Sequence, residues 1–157
     1  MECIIWLIET ALSSFPLIAV GFSFLLAQII KVLIYWRIEG ELNLWHFFQT
    51  GGMPSTHSAS VSSLTLAIAL TSGINSPLFA TCLVFSLIVM YDATGVRRAA
   101  GEQALILNKM IGDLYKSESQ EVEKLREILG HEPVEVVVGS GLAILVTLAT
   151  YYVYFIR

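Results

Sequence analysis

The chain has 157 residues, is 55% apolar with a mean hydropathy of +0.71, and sets 9 Lys/Arg against 13 Asp/Glu for a formal net charge of −4. That length leaves room for one domain, residues 1–157, and the composition is that of an integral membrane protein, not of a soluble or disordered chain. The acidic balance gives no support for nucleic-acid binding. Cys3 and Cys82 both lie in apolar surroundings and make neither a disulfide framework nor a metal motif.

Residues 4–12 form an apolar run too short to cross a bilayer, which predicts an interfacial helix. With Glu2 and Glu9 and no basic start, this end does not read as a signal peptide. Residues 17–36 make a first membrane span, although it contains Gln28 and Lys31. Residues 55–72 and 78–93 make a second and a third, joined by the uncharged turn 71–77, so the two should form a hairpin. Residues 99–114 mix small, apolar and isolated polar side chains and suit a helix partly tucked into a bundle.

From Ser117 the pattern changes. Ser117 followed by Gln120 resembles a capping box, and Val122, Leu125 and Leu129 recur at helical spacing among charges. Gly130 supplies a stop, so an amphipathic surface helix is expected here. Residues 134–156 are the fourth span, with Pro133 suited to the first helical position. The chain thus predicts an all-α integral membrane bundle of about four transmembrane helices plus interfacial and amphipathic helices.

Four spans place both chain ends on one side and the two long polar stretches on the other. Lys31, Arg37, Arg97, Arg98, Lys109, Lys116, Lys124 and Arg126 crowd that second side, which the positive-inside rule makes cytoplasmic. Ser55, Ser58, Ser62 and Thr65 share one helix face, and Gly139 with Ala143 makes a small-xxx-small pair. Both favour close helix approach. A homo-oligomer is compatible with these features.

All three histidines fall in the two polar stretches. Pro54-Ser55-Thr56-His57 opens a helix, where unpaired N–H groups and the dipole welcome an anion. Ser55 adds a hydroxyl donor, unless it serves only as an N-cap, and His57 can protonate a leaving oxygen. His131 and Glu135 are four apart and share a face, so the carboxylate can fix one ring nitrogen and free the other as a nucleophile. Glu135 lies within an apolar segment, where an idle carboxylate is costly.

Lys31, Arg37, Arg97 and Arg98 can neutralise a phosphoryl group in transit. Each also has a plain structural reading, as a snorkelling side chain or a topology anchor. Asp92 is placed to hold one arginine. Asp92, Glu102 and Glu135 match no metal-binding spacing, and His46, with Trp45, Phe47 and Phe48, reads as part of an aromatic belt outside the site.

The set Lys31…Arg37, Pro54-Ser55-Thr56-His57 and His131-x-x-x-Glu135 resembles the three-part signature of type 2 phosphatidic acid phosphatases and vanadium haloperoxidases. The stretches 52–59, 91–98 and 130–135 resemble more closely the divergent branch of that family. Four departures stand out. Thr56 replaces a glycine, Glu135 replaces an aspartate, and Arg37 sits one residue nearer its lysine with no proline after it. Arg97 or Arg98 must stand in for a Ser-Arg element.

The resemblance implies a metal-free, cofactor-free phosphatase acting on a lipid phosphate monoester or diphosphate. By it, His131 attacks phosphorus to give a phosphohistidine and His57 protonates the leaving alcohol. Lys31, Arg37, Ser55, Thr56, Arg97 and Arg98 would surround the phosphoryl oxygens, with Asp92 supporting. The alternative is a lipid-phosphate binding or transport protein that keeps the pocket without turnover.

Overall fold

A computed structural model of the chain describes residues 13–48, 51–114 and 131–157. The expected interfacial helix at 4–12 and the amphipathic helix from Ser117 to Gly130 lie outside the described residues. Within them the structure is helical, without a strand.

Helix α1 is Phe15–Glu39, with Ser14 at its N-cap and a proline in its first turn. It stops at Gly40, whose φ of 79° is open to glycine and whose N–H returns to the Trp36 carbonyl. A short 3-10 helix, Leu44–Phe48, follows. Helix α2 is Thr56–Ser72 and α3 is Pro77–Thr94, each capped by a serine whose hydroxyl accepts a backbone N–H of the first turn. Helix α4 is Val96–Leu114 and α5 is Pro133–Phe155.

Side-chain contacts fix the directions. Phe15 at the start of α1 stacks edge-on against Tyr151 and Phe155 at the end of α5. Ala27 and Ala143, near the middle of α1 and α5, meet Ala59 in the first turn of α2, all three fully buried. Ser63 and Thr147 share a 2.8 Å bond between α2 and α5, and Thr65 meets Ser86 of α3 at 2.6 Å. Helices α2 and α5 therefore run parallel, and α1 and α3 run against them. The Tyr154 hydroxyl donates to the Ser13 carbonyl at 2.6 Å, so both ends of the described chain lie together, away from the turn that opens α2.

Among the described residues, three segments are long and apolar enough to cross a membrane: α1, α5 and an apolar stretch within 77–112 that includes α3. Helix α2, the expected second span, is the exception. Its 17 residues give about 25 Å, against a hydrocarbon core of about 30 Å. The reason is its place. It packs against α1, α3 and α5 and buries residues around its whole circumference, so it carries Ala, Ser and Thr where a lipid-facing helix carries Leu and Phe.

Close packing of α2 on α5 depends on Gly139. A Cβ there would run into the Ser55 carbonyl oxygen. Helix α4 leaves Leu105, Ile106, Leu107 and Met110 exposed and buries Gly101 and Ala104, so the expected tucking holds for one narrow edge.

Candidate functional site

The site is built where four elements end together. The chain enters α2 through Gly51 and Gly52, whose φ values of 94° and 78° suit glycine. Pro54 and Ser55 are fully buried behind them. The Ser55 hydroxyl accepts the Ser58 N–H at 3.3 Å, and the Ser55 N–H donates to the Glu135 carbonyl at 3.1 Å. The first bond caps α2, and the second ties its start to the first turn of α5. Ser55 is therefore an N-cap in fact, and its hydroxyl proton stays free to donate elsewhere.

From the first turn of α2 the half-buried His57 faces His131, with ring centroids 5.9 Å apart and the planes at 65°. His131 is 3% exposed. Its backbone N–H donates to the carbonyl of Ala93 at the end of α3, at 3.0 Å. Its Nδ1 lies 2.7 Å from Oε2 of Glu135, the i,i+4 pair expected from the sequence. The same carboxylate oxygen accepts the Glu132 N–H at 3.3 Å. Glu135 thus satisfies a free donor of the helix start and fixes the imidazole at once. With Nδ1 engaged, Nε2 is the nitrogen left for a substrate.

Lys31 is fully buried and lies within electrostatic reach of Glu135. It is too deep for a snorkelling lysine, whose head group stays in water. Thr56 is 7% exposed, in the first turn of α2 beside His57. Arg37 is exposed, near the end of α1, and six residues past Lys31 puts it about 120° around the helix from it. The two are not brought onto one face.

Asp92 is half-buried in the last turn of α3. Arg97 and Arg98 belong to the first turn of α4, a few residues beyond the Ala93 carbonyl that holds His131, and their side chains lie outside the described residues. Among the described residues no three of His, Cys, Asp and Glu converge, so Asp92, Glu102 and Glu135 do not form a cluster.

One residue departs from its expected surroundings. His46 does not belong to the exposed aromatic belt with Trp45 and Phe48, which are 60% and 74% exposed. It is buried, stacked on Tyr35 at 4.2 Å, with Nε2 2.8 Å from a Glu39 carboxylate oxygen. The physical reason is the 3-10 helix, which is fastened to α1 by a 2.6 Å bond from the Gln28 amide to the Phe47 carbonyl and turns His46 inward. No motif in the sequence singles out Tyr35. Its one signal was a spacing of four from Lys31, which places both on one face of α1.

A model of the Divergent PAP2 family matches residues 12–146 of the chain. The chain is also similar to the uncharacterized membrane protein YuiD of Bacillus subtilis (strain 168). The two are 41% identical over 152 residues, which take in 90% of this chain and 96% of that protein. No solved structure matches.

Proposed function

The chain belongs to the divergent PAP2 family and is a membrane protein, and we propose that it hydrolyses a lipid phosphate monoester or diphosphate through a phosphohistidine. The observation that carries this reading is the pair of facing imidazoles, 5.9 Å apart, one of them held by a carboxylate at 2.7 Å. Two histidines so placed suit the two proton and electron-pair tasks of phosphoryl transfer.

In this scheme Nε2 of His131 attacks phosphorus, the P–O bond to the alcohol breaks, and His57 gives its proton to the leaving oxygen. Water then attacks the phosphohistidine while His57 takes a proton from it, releasing phosphate and restoring both rings. Glu135 stabilises the imidazolium character that His131 gains on bonding phosphorus. Charge builds on the equatorial oxygens, and Lys31, the Ser55 hydroxyl and the N–H groups at the start of α2 would serve as donors to them. Arg97 or Arg98 would complete the set, with Asp92 and Thr56 lining it, while Arg37, on another face of α1, stands outside it.

Position supports the substrate class. A site at the ends of membrane helices is presented with headgroups. The crowding of basic residues near it supports a cytoplasmic opening.

The test is phosphate release by the purified protein from a panel of lipid phosphates, with His131→Ala as control. Release that vanishes in the variant supports the scheme. A protein that binds phosphate but releases none from any lipid would instead be a binding or transport component.

A further inference from the structure

Tyr35 is half-buried one helical turn beyond Lys31, and both lie within electrostatic reach of Glu135. Its ring is clamped. One face lies flat on His46, with 4.2 Å between centroids and 5° between planes, and His46 is fixed in turn by Glu39 at 2.8 Å.

At the far end of the ring, a Cβ added to Gly52 would come within 2.8 Å of the Tyr35 oxygen. The hydroxyl therefore rests against the glycine turn that leads into Pro54 and Ser55. It makes no hydrogen bond among the described residues. The ring is only half-buried and its oxygen is not among the buried polar atoms that lack a partner, so the hydroxyl keeps an accessible side and is a donor open to a ligand beside the anion site.

We propose that Tyr35 is a substrate-contacting residue whose hydroxyl donates to a phosphoryl oxygen between the Gly51-Gly52 turn and Glu135, and that His46 and Glu39 are the positioning residues that hold its ring. The proposal rests on the phosphate-site reading above. A donor fixed before the substrate arrives needs little reorganisation as charge develops. Tyr35 also lies on the face of α1 that carries Lys31, the face Arg37 does not share.

Orthovanadate is the probe, because it binds a phosphoryl site whether or not the protein turns over. Its affinity and the kinetics of lipid phosphate release would be measured in detergent for the full chain and for Tyr35→Phe, His46→Ala and His46→Phe. Tyr35→Phe keeps the ring, so its melting temperature should be unchanged while vanadate affinity falls about tenfold or more. His46→Ala should show part of that loss, and His46→Phe, which keeps the stack, should recover it.

Unchanged vanadate affinity in a folded Tyr35→Phe would overturn the proposal and leave the phosphatase reading standing. Weakened vanadate binding in a chain that releases no phosphate would support Tyr35 and remove turnover. A wild-type chain that neither binds vanadate nor releases phosphate would overturn both.

Discussion

Because Glu135 occupies Nδ1 of His131, changing that carboxylate alters the ring's orientation and its charge together. Glu135→Gln keeps the length of the side chain but removes the negative charge that balances an imidazolium, so phosphate release should fall about a hundredfold or more. Glu135→Asp keeps the charge and should do less harm, because the type 2 phosphatase signature that the chain resembles has aspartate at that position. Equal activity in wild type and Glu135→Gln would mean that the Glu135 side chain serves only to cap α5, through its 3.3 Å bond from the Glu132 N–H.

A second comparison separates the two imidazoles. His131→Ala should abolish release from every substrate, since no bond to phosphorus can form. His57→Ala should lose least with substrates whose leaving group departs unprotonated, because only proton delivery is missing. A His131→Ala protein with near-normal turnover would end the phosphohistidine scheme. These three residues were legible in the sequence because local spacing brings His131 to Glu135 and a helix start marks His57. Tyr35 and His46 were not, since their contact is made by the return of a 3-10 helix onto α1, which no local pattern announces.

At the scale of elements, the site depends on how closely α2 and α5 approach. The Ser55 N–H reaches the Glu135 carbonyl because Gly139 has no side chain to hold the helices apart. Gly139→Ala puts a methyl group on backbone, which cannot swing aside as a long side chain can. It should destabilise the bundle by about 1–3 kcal/mol and reduce phosphate release beyond what the loss of folded protein explains. Thermal unfolding in detergent, beside activity per folded molecule, measures both. Gly141, with nothing within 4 Å of an added Cβ, is the control that should accept alanine.

The helices themselves were readable from apolar length and from Pro, Ser and Gly at their ends. Their start and end residues shifted by only a few positions. The place of α2 was not readable. Its hydroxyl stripe on Ser55, Ser58, Ser62 and Thr65 suggested one packing face, whereas Ser63, Ala67 and Thr56 on other faces are buried as well. A helix surrounded by three others has no solvent or lipid face to betray its orientation.

On the scale of the whole molecule, the site exists only if the opening of α2, the end of α3 and the start of α5 share one side of the membrane. The bonds from His131 to Ala93 and from Ser55 to Glu135 join these ends, and the Tyr154–Ser13 bond joins the termini of the described chain at the other. The α2–α3 turn belongs with the termini. Single cysteines should report this arrangement in a background of Cys3→Ser and Cys82→Ala. Glu41→Cys and Glu132→Cys, both at exposed positions, should react with an impermeant thiol reagent from one side, and Asn75→Cys, also exposed, from the opposite side. Basic residues crowd the first side, so it should be the cytoplasmic one. Labelling in right-side-out and inverted vesicles decides the sidedness. Reaction of positions 41 and 132 from opposite faces would separate Lys31 from His131 and leave no single site for a phosphate. Reaction of both from outside would keep the site and turn it towards lipids of the outer leaflet.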